Sequence, residues 1–143
     1  RPIFLVGPEI SNSLMGSTYA YTARNSNKDI RLLITVMNVT EIRERFSELS
    51  NVQCINLFLE ELKKVHEQFF SVNMTRPLSV GSAEFLRFRW TGEKSDKTMI
   101  GVLSCGRLKD NYYVIHFTDA LKSATHSFPA IRTSLKTLRP SEK

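Results

Sequence analysis

The sequence lacks the long apolar runs, phosphate-binding loops and histidine clusters that mark several large classes of protein. Its longest apolar runs, Ile3 to Val6 and Ile30 to Met37, are far shorter than the roughly 20 residues needed to span a bilayer. The glycines are scattered and form no GxGxxG or GxxxxGK pattern. No histidine has a partner at the spacing of a metal motif. We therefore predict no transmembrane segment, no cofactor and no metal site.

The two cysteines, Cys54 and Cys105, discriminate little between compartments. A disulfide between them is compatible with the sequence, and two buried thiols are the favoured interpretation. Cys105 and His116 fall on neighbouring predicted strands, so a small hydrolase or redox enzyme that uses this pair is one alternative function. Because nothing in the sequence marks an oxyanion hole or an orienting acid, we predict no catalytic residue.

The charge balance is basic, with 20 lysines and arginines against 14 aspartates and glutamates and a formal net charge of +6. This balance suits anionic partners such as acidic proteins, lipid headgroups or nucleic acid. The basic residues are scattered in ones and twos, which gives no clear indication of nucleic-acid binding. Arg87 and Arg89 project from one predicted strand face beside Phe85, where they could grip an acidic partner or stack on bases. The favoured interpretation is an outer sheet face that neighbouring acids balance or a helix covers. A binder of anionic ligands is therefore a second alternative.

The length and composition are those of an ordinary globular protein. The chain has 143 residues, of which 41% are hydrophobic and 24% charged. It is long enough for one core and too short for two typical domains. We predict a single domain over residues 1–143.

The stretch from Ser82 to Thr118 organises the predicted fold. It has three runs of aromatic and branched residues separated by short polar turns, which is typical of three sequential antiparallel strands. In the first run Leu86, Phe88 and Trp90 alternate with polar residues, so the pleat sends one set of side chains to a core. We predict a β-meander over residues 82–118.

Extended segments are also predicted before the meander. Ile3 to Val6 favours an edge strand or an anchoring arm. Ser17 to Arg24 and Ile30 to Met37 predict a hairpin whose second strand, apolar on both faces, lies well inside the sheet. Ser71 to Val80 predicts a short, bent or edge strand, because Pro77 cannot donate to a ladder.

Three helices are indicated by apolar residues at helical spacing. A short one follows Thr40, and a longer main helix is predicted over Asn51 to Phe70. Ser50 with Gln53 has the spacing of a capping box at the start of the main helix. A closing helix is predicted over Phe128 to Leu138, with Pro129 in its first turn.

The order GSAEFLRFRWTG, TMIGVLSCGRLKDNYYVIHFT and HSFPAIRTSLKTLRP resembles the carboxy-terminal half of the PsbP and DcrB-like superfamily, over roughly residues 30–140. This superfamily includes bacterial envelope lipoproteins. The resemblance implies an α+β fold, an α/β/α sandwich with a central antiparallel sheet and helices on both faces. It also implies a non-enzymatic role in binding or assembly. At the amino end Gly7-Pro8-Glu9-Ile10 lacks the Trp that members usually show, so no functional residue is transferred.

The leading functional prediction is a binding or assembly module that is exported or envelope-associated and acts through contacts with a protein partner of acidic character. A removed lipoprotein leader would allow membrane association, and a cytoplasmic location is the alternative. If helices cover both faces of the sheet, a partner must bind at rims, loops and an edge. The most exposed basic positions would then be in the two meander turns. They are Lys94, Lys97, Arg107 and Lys109, which we call the turn basic residues.

Overall fold

A computed structural model describes residues 4–13, 16–24, 29–38, 40 and 50–135. These residues contain eight strands and two helices. The strands are β1 (Leu5–Ser13), β2 (Gly16–Ala23), β3 (Arg31–Asn38), β4 (Gln68–Met74), β5 (Leu78–Val80), β6 (Ala83–Lys94), β7 (Lys97–Leu108) and β8 (Asn111–Ala120). The helices are α1 (Asn51–Val65) and α2 (Leu121–Leu135). The short helix predicted after Thr40 falls on residues 41–49, outside the described residues.

The strands form one antiparallel sheet in the order β1-β2-β3-β8-β7-β6-β4, and β5 pairs separately with the start of β6. The predicted meander is confirmed, because β6, β7 and β8 are neighbours joined by two short hairpin turns. The predicted hairpin of β2 and β3 is also present. β3 lies between β2 and β8, inside the sheet, as its two apolar faces predict.

Helix α1 begins where the sequence predicts and ends earlier. The Ser50 side chain accepts a hydrogen bond from the Gln53 backbone at 3.2 Å, and the Gln53 side chain accepts one from the Ser50 backbone at 2.8 Å, so the capping box is confirmed. The helix ends at Val65 instead of continuing to Phe70, because Phe69 belongs to β4 and pairs with Gly92 of β6. Pairing along the edge of the meander outweighs the helical spacing of the apolar residues here.

Helix α2 begins at Leu121, seven residues before the predicted start at Phe128, and Pro129 lies inside it. The Asp119 carboxylate at the end of β8 accepts hydrogen bonds from the Ala120 backbone at 2.7 Å and from the Ser123 hydroxyl at 3.2 Å. The Asp119 carboxylate thus connects the end of β8 to the first turn of the helix. The predicted residues beyond Leu135 lie outside the described part of the chain.

The prediction of an α/β/α sandwich, with a layer of helices on each face of the sheet, is wrong, although one helix packs on each side of the central strands. The described chain is mostly one large antiparallel sheet, and its two helices contact mainly the central strands β6, β7 and β8. A helix about 10 Å wide covers only about two strands that lie roughly 4.8 Å apart. Neither helix therefore forms a layer, and the prediction failed because apolar residues on both faces of a strand indicate burial without saying what buries them.

The core lies around β7, whose alternating side chains divide it into two parts. Leu103 and Cys105 pack with α1, whereas Ile100 and Val102 pack in the cluster that includes α2. Because neighbours in a strand point to opposite faces, we call these the α1 side and the α2 side of the meander. Each side has a cleft next to its helix.

Candidate functional site

On the α2 side, a cleft of about 620 Å³ has arginines at its rim and an apolar floor, and we call it the arginine cleft. Strand β6 contributes two arginines at alternate positions, the segment between β4 and β5 one, and α2 one. The four are Arg76, Arg87, Arg89 and Arg132. The apolar floor consists of Val102, Ile115, Phe117, Phe128 and Ile131. The cleft is therefore apolar at its base and cationic at its mouth.

The arginine cleft has no balancing negative charge in the part of the chain that the structure describes. None of its lining residues is acidic. The ion pairs of the described residues join Lys63 to Glu60, Lys64 to Glu61 and Lys97 to Asp29, and none includes a cleft arginine. Four like charges at one cleft repel one another, and an anion placed among them would remove that repulsion.

Arg87 is the deepest of the four cations. Its side chain is half-buried, whereas Arg76, Arg89 and Arg132 are exposed. Burial, together with the positive charges of Arg132, Arg89 and Arg76, lowers the pKa of Arg87 from its ordinary value. The guanidinium stays charged at neutral pH because the ordinary pKa of arginine lies so far above 7. The positive charges of the other three arginines therefore act on Arg87.

On the α1 side, a cleft of about 550 Å³ lies beside Trp90, and we call it the tryptophan cleft. The Trp90 indole lies over Gly101, since a Cβ atom added at this glycine would clash with the ring. The His66 ring packs edge-on against Trp90, with 4.9 Å between ring centroids. His66 Nδ1 and the Leu62 carbonyl are 2.8 Å apart, which ties this ring to the end of α1. Trp90 is thus held between its strand neighbours and α1.

His116 completes the polar contacts beneath the tryptophan cleft. Its Nε2 accepts a hydrogen bond from Trp90 Nε1 at 3.0 Å. Because an indole N–H can only donate, this bond requires an imidazole that has no proton on Nε2. Burial, aided by the charges of His66 and Arg31, lowers the pKa of His116 to about 3. His116 is therefore a neutral hydrogen-bond acceptor at physiological pH.

The geometry does not support the alternative of a Cys105–His116 catalytic pair. Cys105 and His116 lie on the same side of neighbouring strands, since Cys105 pairs with Val114 and His116 with Leu103. However, Cys105 is a buried free thiol, and a hydrogen bond with Cys54 together with burial raises its pKa. A nucleophilic thiol needs the opposite shift. His116 is in addition already bonded to Trp90.

The turn basic residues are exposed, but the structure divides them between two distant places. Lys94 and Lys97 flank the turn between β6 and β7, where Lys97 pairs with Asp29 at 3.1 Å. Arg107 and Lys109 flank the turn between β7 and β8, where Arg107 Nε donates to the Lys109 carbonyl at 2.9 Å. The 12 residues of β7 separate the two turns by roughly 36 Å. The four side chains cannot form one compact site.

Other kinds of site are not apparent among the described residues. No three His, Cys, Asp or Glu side chains converge there as metal ligands would. Within the same residues, neither helix is long and apolar enough to cross a membrane.

The sequence predicted that two of the four cleft arginines share a strand face, but the predicted partner-binding residues were in the meander turns. The alternation in β6 placed Arg87 and Arg89 on one face, and the structure has them there. It missed Arg76 and Arg132, because only the tertiary position of the β4–β5 segment and of α2 brings them to the same cleft. The only sequence signal for Arg132 was its position next to Ile131, which belongs to the apolar stripe of α2.

Comparison with known proteins shows the fold and no more. No family model and no curated protein matches the chain. The chain is similar to the crystal structure of PA94 from Pseudomonas aeruginosa, a protein of unknown function, with a TM-score of 0.59 and 9% sequence identity. The similarity covers 100% of both chains. At this identity the likeness concerns the fold alone, so the PsbP and DcrB-like resemblance stays a prediction.

Proposed function

We propose that the chain is a non-enzymatic binding or assembly module that holds an acidic protein partner in the arginine cleft. The observation that carries this proposal is the cluster of four arginines, which has no carboxylate partner among the described residues. Folded proteins seldom keep like charges together around an apolar floor without a compensating anion. A partner that brings negative charge supplies this compensation.

An exported or envelope-associated location remains part of this proposal and depends on the superfamily resemblance alone. The partner binds in the cleft and not at the meander turns. The turn basic residues are already partly engaged, by Asp29 and by a backbone carbonyl, and they are too far apart to act together. Charge complementarity at a concave surface steers association and fixes the register of a partner better than isolated surface charges do.

A comparison of two variants with equal charge tests the proposal. One variant replaces the four cleft arginines by Gln, and the other replaces the four turn basic residues by Gln. Each lowers the formal net charge from +6 to +2. Fluorescence anisotropy would measure the binding of pools of random acidic, neutral and basic peptides, at about 50 mM and about 200 mM NaCl.

We expect the wild-type chain to bind the acidic pool selectively, with weaker binding at the higher salt concentration. The cleft variant should lose this binding, and the turn variant should keep it. Loss in the turn variant alone would return the site to the turns. Equal retention in both variants, or no preference for the acidic pool in the wild type, would overturn the proposal.

A further inference from the structure

Thr75 holds the deepest arginine of the cleft in one orientation. The residue follows the end of β4 beside β6, and its backbone N–H donates to the Arg87 carbonyl at 2.9 Å. The Arg87 Nε–H in turn donates to the Thr75 hydroxyl oxygen at 3.0 Å. One side of the guanidinium is therefore fixed, and its rotation about the last side-chain bonds is restricted.

This contact leaves a defined set of donors unused. A guanidinium has five N–H donors, and the Thr75 contact uses only the one on Nε. Among the described residues, the structure gives the Nη1 and Nη2 groups of Arg87 no acceptor. The outer edge that these two nitrogens form presents two parallel N–H bonds, which match the two oxygens of a carboxylate.

The side chains around Arg87 leave space for such a ligand. The residues opposite Arg87 and Arg89 on β7 are Ser104 and Val102, both smaller than the arginines. Arg76, Arg89 and Arg132 are exposed at the mouth of the cleft and can approach an anion from several directions. An anion bound at Arg87 would thus lie beside an apolar floor and under three further cations.

The shape and composition of the cleft argue against nucleic acid and against a membrane surface. The two aromatic rings of the floor, Phe117 and Phe128, are buried and pack edge-on against each other at 5.0 Å, so they offer no exposed flat face for a base. A bilayer surface is broad and would reach the exposed arginines, but Arg87 lies below them. A narrow segment of polypeptide can reach Arg87.

We propose that the arginine cleft recognises a peptide segment in which an Asp or Glu side chain stands next to a bulky apolar side chain. In this complex Arg87 binds the carboxylate through its Nη1 and Nη2 edge, and the apolar side chain packs on the floor. Thr75 acts as a positioning residue that orients Arg87. This inference rests on the function proposed above and names the chemistry of the partner.

Selection from a display library tests this specificity. A library of random peptides about 12 residues long, a length typical of a short recognition segment, would be panned on the folded 143-residue chain and, in parallel, on Arg87→Gln. We expect the wild-type chain to enrich Asp or Glu adjacent to Leu, Ile, Val, Met or Phe, and Arg87→Gln to lose this enrichment. Circular dichroism and thermal unfolding would establish that Arg87→Gln is folded. Arg89→Gln would be panned as a second variant, because replacing an exposed arginine disturbs the fold less than replacing the half-buried Arg87.

The outcomes separate this inference from the broader function. Enrichment of acidic residues without an apolar neighbour would overturn the inference and leave an acidic partner in place. Enrichment of peptides that are not acidic would overturn the inference together with the cleft as the partner site. Enrichment of acidic peptides on Arg87→Gln and Arg89→Gln as strong as on the wild-type chain would do the same. Tighter binding of an enriched peptide when phosphoserine replaces its acidic residue would assign the site to a phosphate group. Binding of phosphatidylserine-rich vesicles at the cleft, without binding of the peptides, would assign it to a lipid headgroup.

Variants of Thr75 test its positioning role on an enriched peptide. Thr75→Val removes the hydroxyl but nearly keeps the shape, and we expect a roughly tenfold weaker affinity, the scale of one charge-assisted hydrogen bond that is no longer aligned. Thr75→Ser keeps the hydroxyl and should restore most of the affinity. If the two variants bind equally well at equal stability, Thr75 does not position Arg87.

Discussion

The two clefts of the meander differ in how their polar groups are satisfied. In the tryptophan cleft, Trp90 donates to His116 and His66 contacts the end of α1, so the polar atoms meet partners from their own chain. In the arginine cleft, the cations meet no carboxylate of the described residues. A buried polar group without a hydrogen-bond partner lowers the stability of the fold, whereas a partly exposed cation stays hydrated until a ligand binds. We infer that the first arrangement serves the fold and the second serves binding.

The surroundings of α2 make the same distinction within one side of the sheet. At the start of this helix the buried Asp119 carboxylate accepts three hydrogen bonds, from the Ala120 backbone and from the hydroxyls of Ser123 and Ser127. Near its end Arg132 reaches the arginine cleft without an ion pair to a described residue. The fold thus provides partners for the buried Asp119 carboxylate, and among the described residues it provides no carboxylate for the four cations of the arginine cleft.

The largest expected effect is the loss of stability when a residue of the tryptophan cleft is removed. Trp90→Ala should lower the free energy of unfolding by about 3–5 kcal/mol, because it empties the space over Gly101 and leaves the buried His116 without its donor. Phe88→Ala on the same strand should cost less, since Phe88 is only half-buried. Urea unfolding followed by circular dichroism would measure both, and a small loss for Trp90→Ala would contradict the structural role of the tryptophan cleft.

The second prediction uses pH to test the neutral His116. Its pKa is about 3 in the folded chain and about 6.5 when unfolded, so below pH 6.5 the unfolded chain binds a proton that the folded chain does not. Stability from this group is fully present above pH 6.5 and is lost progressively as the pH falls toward 3. By pH 5 the loss should reach about 2 kcal/mol.

His116→Gln should remove this part of the pH dependence, because an amide oxygen can accept from Trp90 and does not titrate. His126→Gln changes an exposed histidine of α2 and is the matched control, which should leave the dependence unchanged. Urea unfolding between pH 5 and 8 would compare the three proteins. Equal slopes for wild type and His116→Gln would mean that His116 takes up its proton without unfolding.

The sequence predicted local features well because they depend on local periodicity. The alternation in residues 82–118 identified the meander and the inward side of Trp90, and the spacing of Ser50 and Gln53 identified the start of α1. The end of α1 was wrong because Phe69 fits a helical stripe in sequence but pairs with β6 and stacks on Trp90, at 5.6 Å, in space. Such competition between local spacing and long-range pairing cannot be resolved from one segment.

The candidate site was less accessible to sequence reasoning for the same reason. Arg87 and Arg89 could be assigned to one face, because side chains alternate along a strand. The turns were nevertheless predicted as the binding surface, because helices were expected to cover both faces. The arginine cleft exists because α2 leaves part of its side of the meander open and places Arg132 beside β6. Neither fact follows from charge pattern or periodicity.

The smallest expected effect tests whether the cleft arginines strain the folded chain. Arg89→Gln removes one of the charges that repel Arg87 and breaks no hydrogen bond to another described residue, so the free energy of unfolding should rise by about 0.2–0.5 kcal/mol at about 50 mM NaCl. The gain should vanish at about 500 mM NaCl, where screening weakens the repulsion. Arg107→Gln is the control, since it removes an exposed strand arginine that donates to the Lys109 carbonyl, and it should not stabilise the chain. If Arg89→Gln lowers the free energy of unfolding at low salt, Arg89 supports the fold and the contrast between the two clefts fails. If the free energy of unfolding rises and the rise disappears at high salt, the four cations destabilise the fold slightly through their mutual repulsion, and a bound anion would offset this destabilisation.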